Sequence, residues 1–174
     1  MQLTVNPPAL TEDAFDVCIR FGEPPDARVI ARRIAPNRRL LCAAPAYLAR
    51  AGTPQTPDDL LQHECLVYTS GARAFDNWTL LRDGEASVVQ VPSKIQINDG
   101  MALVAAACAG GGILAIDQLL VDEELARGTL VRVLPEYSPR PGQPIYAVYP
   151  ARTWLAFKTA TFIAFLQQRL WVRP

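Results

Sequence analysis

Residues 95–116 limit what this chain can fold into more than any other stretch. Ile95 and Ile97 alternate with polar Gln96, as in a half-buried strand. Asn98 and Asp99 then offer side-chain oxygens to the unpaired amides of a starting helix. From Met101 the helix carries Ala, Leu, Val and Cys and no charge, which predicts burial on more than one side. Gly110 or Gly111 supplies a left-handed exit, and residues 112–116 read as a buried parallel strand. The stretch is a strand–helix–strand unit of an α/β fold. A helix N-terminus at the carboxyl end of a strand gathers free N–H groups and partial positive charge, which suits a carboxylate or another small anion. An ordinary crossover that binds nothing has the same pattern.

With 174 residues, 50% of them hydrophobic, the chain has apolar material for one packed domain or two small lobes. The 17 basic and 17 acidic residues cancel, so the overall field attracts neither nucleic acid nor an anionic membrane. DNA binding by this stretch alone is not expected. No apolar run reaches the roughly 18 residues of a membrane span. Met1-Gln2-Leu3-Thr4-Val5 lacks the basic-then-apolar order of a secretory leader, and the chain reads as cytoplasmic.

Catalytic and cofactor patterns are weak. Cys18, Cys42, Cys65 and Cys108 sit in apolar runs without C-x-x-C spacing and read as buried thiols. A zinc site would need His63 and Cys65 to find two distant ligands, so no metal is expected. His63 is the single histidine and no serine lies in G-x-S-x-G, so a hydrolase triad has little to build on. Apolar surroundings raise the pKa of a nucleophilic thiol at Cys42 or Cys108. Gly110-Gly111-Gly112 follows a helix and precedes a strand, the reverse of a nucleotide loop. No catalytic residue and no cofactor are assigned.

Elsewhere strands alternate with short helices. Residues 2–5 read as an edge strand before Asn6-Pro7-Pro8, and residues 15–21 as a strand that ends at Gly22. Strands over 28–34 and 39–43 flank a turn at Ala35-Pro36-Asn37-Arg38. The arginines between Arg28 and Arg39 read as a solvated face. Pro45 and Gly52 bound one short helix, and Thr56-Pro57-Asp58-Asp59 carries a capping-box pattern for a second. Residues 44–64 thus read as a connection between lobes. Strands over 78–81 and 87–91 flank Asp83-Gly84, a hairpin signal, after a strand at 65–69. Asp117 is the expected cap of a helix over 118–127 closed by Gly128, followed by a strand at 129–134. Pro135, Pro139, Pro141 and Pro144 make an extended second crossing. A strand at 145–149 and an amphipathic helix from Thr153 to about Leu170 complete the chain.

Several of these motifs, in order, carry a resemblance. They are residues 15–22, 29–34, Pro45-Ala46-Tyr47-Leu48 before Gly52-Thr53-Pro54, and Asp59-Leu60 with His63 and Cys65. Val91-Pro92, Ile97-Asn98-Asp99-Gly100, Gly110-Gly111-Gly112-Ile113 and Tyr146-Ala147-Val148-Tyr149-Pro150 continue the order. Over nearly its whole length the chain resembles the effector-binding domain of LysR-type transcriptional regulators, most closely those with aromatic or organic-acid effectors.

The resemblance implies a two-lobe α/β fold like a type 2 periplasmic binding protein, with two crossings and a small-molecule effector in the cleft. Residues 1–44 with 145–174 would form lobe one, and residues 45–144 lobe two. The family's amino-terminal winged helix-turn-helix, linker helix, and first strand and helix of lobe one have no counterpart here, which implies an amino-terminally truncated, incomplete first lobe. DNA would then be met only through the missing domain, and self-association as dimer or tetramer would belong to the full-length protein. Carried over by position, Phe21, Gly22, Thr69, Ser70, Asn98, Asp99, Gly100 and Val148 are the expected effector wall. Ser70 is read as a ligand donor, while Asp99 serves its own helix as a cap. A free-standing solute-binding protein of the same fold is the alternative, against which four unpaired cysteines and the missing leader weigh.

Overall fold

The structure, a computed structural model, describes residues 15–24, 28–151 and 157–171. The strand expected at residues 2–5 and the first turn of the helix expected from Thr153 lie outside the described residues. In chain order the elements are β1 (Cys18–Phe21), β2 (Val29–Ala35), β3 (Arg39–Ala43), α1 (Pro45–Ala51), β4 (Cys65–Ser70) and β5 (Arg73–Ala74). There follow β6 (Asn77–Arg82), β7 (Glu85–Gln90), β8 (Ile95–Ile97), α2 (Gly100–Cys108), β9 (Ile113–Asp117) and α3 (Asp122–Arg127). The last are β10 (Val131–Val133), β11 (Ser138–Pro139), β12 (Ile145–Pro150) and α4 (Phe157–Trp171). Two 3-10 turns, Pro57–Gln62 and Gln118–Leu120, lie between β3 and α3.

The chain falls into two compact units, residues 1–37 with 143–174, and residues 38–142. In the first, β12 is the central strand and pairs antiparallel with β1 on one side and β2 on the other. The apolar stripe of α4 covers this sheet, and Ile163 is buried with Ile34, Ala35, Ile145 and Ala147. Burying one such isoleucine is worth about 1.5–3 kcal/mol.

In the second unit a mixed sheet has the order β10-β3-β9-β4-β5, with β8 also on β4. A separate antiparallel sheet has the order β11-β6-β7. Leu41, Leu60, Leu66, Leu80, Leu103 and Ile113 are fully buried in one core. β8 and β9 are parallel but not adjacent, because β4 lies between them and pairs parallel with both. β9 is therefore only half of a parallel arrangement, since its other edge pairs antiparallel with β3.

Local chemistry ends the elements where turn residues stand. Asp83 and Gly84 both take positive φ, 52° and 87°, in the two-residue turn joining β6 to β7, the form that Asp-Gly favours. α2 closes through Gly110, whose amide bonds to the Ala107 carbonyl, and Gly111, whose amide reaches back to Ala106. This pair of bonds is the Schellman arrangement.

Four expectations are corrected. β3 pairs with β9 and β10 and belongs to the second unit, so the chain passes between units at residues 37–38 rather than over 44–64. Tyr47 and Leu60 hold that 44–64 segment in the second core, which a connection would not allow. α2 buries only Leu103, Val104 and Ala107, while Met101, Ala102 and Ala105 are exposed. Exposed alanine costs little, so a charge-free helix need not be buried all round. Asp117 stands at the N-cap position of a 3-10 turn but its side chain makes no capping bond: its carboxylate meets the Arg39 guanidinium at 3.2 Å, and buried Val121 splits the expected helix into that turn and α3.

Candidate functional site

The apolar run at Cys65, Leu66 and Val67 sinks β4 into the core and brings its polar end, Thr69 and Ser70, out toward solvent. β8 runs beside it in parallel, with Leu66 opposite Ile95 and Tyr68 opposite Ile97. This pairing ends at Tyr68 and Ile97, so Thr69 and Asn98 are the next residues of the two chains beyond it. Two parallel strands thus end together, where open α/β sheets offer ligand positions.

α2 starts at this edge. Asp99 takes an extended conformation (φ −127°, ψ 123°), and its carboxylate accepts a 2.7 Å hydrogen bond from the Ala102 amide. Its carbonyl accepts from Leu103 at 3.1 Å. The Gly100 and Met101 amides are left without a partner among the described residues, as a helix start requires. A Cβ at Gly100 would stand 3.2 Å from Leu120 Cδ1, so the helix start packs closely there. Met101, 56% exposed, adds an apolar side chain to the same end.

Ser70 and Arg73 face each other across the Gly71-Ala72 turn that joins β4 to β5. Gly71 has φ +58°, as the first central residue of a type II′ turn does. By strand alternation Tyr68, Ser70, Arg73 and Phe75 share one face of this hairpin, and Thr69 and Ala74 the other. The Arg73 guanidinium lies 4.8 Å from the Phe75 ring centroid, and Phe75 tilts against Tyr68 at 5.9 Å. Sequence reasoning missed Tyr68, Arg73 and Phe75. The glycine turn after Ser70, which fixes the cross-strand register, was the signal that could have found them.

Five of the eight sequence-derived positions, Thr69, Ser70, Asn98, Asp99 and Gly100, therefore meet at one edge of the second unit. The other three lie in the first unit. Phe21 is 50% exposed at the end of β1. Gly22 has φ +76°, donates its amide to the Pro144 carbonyl at 2.8 Å, and is covered by the flexible end of the Gln143 side chain. Val148 has no exposed surface and stands between Cys18 and Ala31 in the sheet.

The remaining reactive groups are held in structural roles. Tyr47 Oη and His63 Nδ1 share a buried 3.0 Å hydrogen bond, and the Glu64 amide donates to the same hydroxyl at 3.0 Å. Burial pushes the Tyr47 hydroxyl up from its ordinary value. Burial also pushes the Cys42 and Cys65 thiols up to about 12, far from the range of a nucleophile. Cys18 and Cys108 are only half-buried, unlike the expectation for all four. Among the described residues no group of three or more His, Cys, Asp or Glu is placed to hold a metal, and no helix is long and apolar enough to cross a membrane.

A family model described as the LysR substrate binding domain matches residues 4–171. An uncharacterised HTH-type transcriptional regulator of Haemophilus influenzae is 33% identical over 149 residues, 86% of this chain and 51% of that protein. The HTH-type transcriptional regulator CrgA of Neisseria meningitidis serogroup B is 30% identical over 161 residues, 92% of this chain and 53% of that protein. The solved CrgA regulatory domain from Neisseria meningitidis superposes with a TM-score of 0.76 at 29% identity, covering 89% of this chain and 75% of that one. The chain spans about half the length of the curated relatives it matches.

Proposed function

This chain belongs to the family of LysR substrate binding domains, and on that premise we propose that it senses a small organic-acid or aromatic effector for a LysR-type transcriptional regulator. The match over residues 4–171 is the observation that carries the reading. The edge where β4 and β8 end beside the α2 N-terminus supports it locally. Thr69, Ser70 and Asn98 supply hydroxyl and amide groups, the Gly100 and Met101 amides supply donors, and Asp99 keeps the helix start in place.

The role is sensing rather than turnover, in keeping with relatives named as transcriptional regulators. In the whole protein, DNA contact belongs with the half of the relatives' length that this chain does not span, and self-association as dimer or tetramer belongs to the full-length protein. Its place is the cytoplasm, where a regulator meets both effector and DNA. An effector acts there only through unequal affinity for two arrangements of the regulator.

The test is a thermal-shift screen of this chain against benzoates and short dicarboxylates. At a hundredfold excess over its Kd a true effector adds about 2.7 kcal/mol, a rise of roughly 5–10 °C for a chain of this size. The rise should shrink in Ser70→Ala and Asn98→Ala. A panel in which no acid raises the melting temperature would overturn the reading.

A further inference from the structure

Arg73 differs from the ion-paired arginines of the second unit. Arg39 is paired with Asp117, Arg82 with Glu136, and Arg127 with Glu123. The Arg73 guanidinium instead lies over Phe75 and has no hydrogen bond or ion pair among the described residues. The nearby Asp76 carboxylate is taken by Asn77 and Gln90.

The backbone that carries the ring beneath it is fixed on both sides. The Phe75 amide donates to the Tyr68 carbonyl at 3.0 Å, and its own carbonyl accepts the Trp78 indole N–H at 3.1 Å. Phe75 nonetheless remains 39% exposed. Ser70 faces Arg73 across the hairpin and presents a hydroxyl on the same side. A planar cation, a hydroxyl and two tilted rings thus share one face, held by a two-residue turn. A carboxylate matches the guanidinium fork in two parallel bonds, and a ring attached to it meets Phe75 and Tyr68 edge to face. Little ordering is lost on binding because the hairpin is already set.

We infer that the β4–β5 hairpin binds the carboxylate end of an aromatic acid, with Arg73 as the specificity-determining residue and Phe75 as the platform for its ring. This rests on the effector-domain reading and narrows it to one ligand class.

Isothermal titration of the chain with benzoate, 4-hydroxybenzoate, benzamide and succinate tests it, with Arg73→Ala, Arg73→Lys, Phe75→Leu and Asn98→Ala as variants. Benzoate and 4-hydroxybenzoate bind, and benzamide and succinate bind at least tenfold more weakly. Arg73→Ala loses tenfold or more for benzoate, Arg73→Lys recovers part of that, and Phe75→Leu loses for benzoate but not for succinate. Arg73 is exposed, so an unchanged circular-dichroism spectrum in Arg73→Ala keeps the comparison clean. Benzoate binding by Arg73→Ala within twofold of the unaltered chain overturns the inference. If Asn98→Ala then weakens binding, the effector reading survives without it. Binding of succinate but not benzoate also overturns the inference alone. Binding of none of the four overturns it too, and leaves the wider acid screen to decide the effector reading.

Discussion

The Asp99 carboxylate closes the first turn of α2 on itself, through a 2.7 Å bond from the Ala102 amide. A negative group is thus already spent on the helix start where an anionic effector is proposed to arrive. Asp99→Ala should cost about 1 kcal/mol, the usual loss of a cap, read as a lower urea midpoint. Asp99→Asn keeps a capping oxygen and removes the charge. It should lose less stability and bind benzoate or succinate at least as tightly as the unaltered chain.

Gly112 and Gly128 make a contrasting pair. Gly128 (φ +72°) has open space where a Cβ would go, so Gly128→Ala should cost about 1–2 kcal/mol for the left-handed backbone alone. Gly112 (φ +154°) has the Glu64 carbonyl where its Cβ would stand, and that carbonyl already accepts the Ile113 amide at 2.9 Å. Gly112→Ala should cost upward of ~3 kcal/mol, because strain and a backbone collision add. Equal urea midpoints for the two variants would contradict this.

Asp59 accepts backbone amides from Gln55 at 2.8 Å and Thr56 at 2.9 Å, and these bonds hold its carboxyl below the ordinary value. The folded pKa is depressed, so the stabilisation is present above the unfolded value of about 3.9 and is lost as pH falls through the lower folded value. Asp59→Asn should therefore be less stable at pH 6. The gap in urea midpoint should narrow as the pH approaches 3. A gap that widens on acidification would contradict the assignment.

Thiol labelling follows burial. Cys42 and Cys65, with pKa values pushed up to about 12, should resist a thiol reagent at pH 8 until urea unfolds the chain. Cys18 and Cys108 are half-buried and should account for any labelling of the folded protein. Fast labelling of Cys65 in native buffer would place β4 outside the core.

Tyr47→Phe removes the hydroxyl that takes the Glu64 amide and meets His63 Nδ1. Leaving those groups unpaired should cost about 1–3 kcal/mol. Effector affinity should not change, because Glu64 precedes the first residue of β4 and Thr69 and Ser70 end it.

Much of this was legible in the sequence wherever the cause is local. Asp83-Gly84, Asp99 and Gly110-Gly111 act through their own backbone and neighbours, so the hairpin, the cap and the helix exit could be read one residue at a time. The side of the chain to which β3 belongs could not, because residues 39–43 form a strand by composition and only its pairing with β9 and β10 decides its unit. The half-exposed α2 escaped notice because Ala102 and Ala105 look the same in a core and in water. Of the candidate site, Thr69 was legible as a strand end and Asn98 as part of the helix start. Arg73 and Phe75 were not, since their place beside Ser70 and Tyr68 is a cross-strand register that no single residue announces.

The central claim is that a small acid binds at the shared edge of β4, β8 and α2. Backbone amide shifts recorded by NMR during titration with 4-hydroxybenzoate and with succinate test it most directly. The account predicts that one of the two moves the amides of residues 68–70, 73–75 and 98–101 in a saturable way. Saturable shifts confined to other elements, such as β7 or α3, or no shift with either acid, would contradict it.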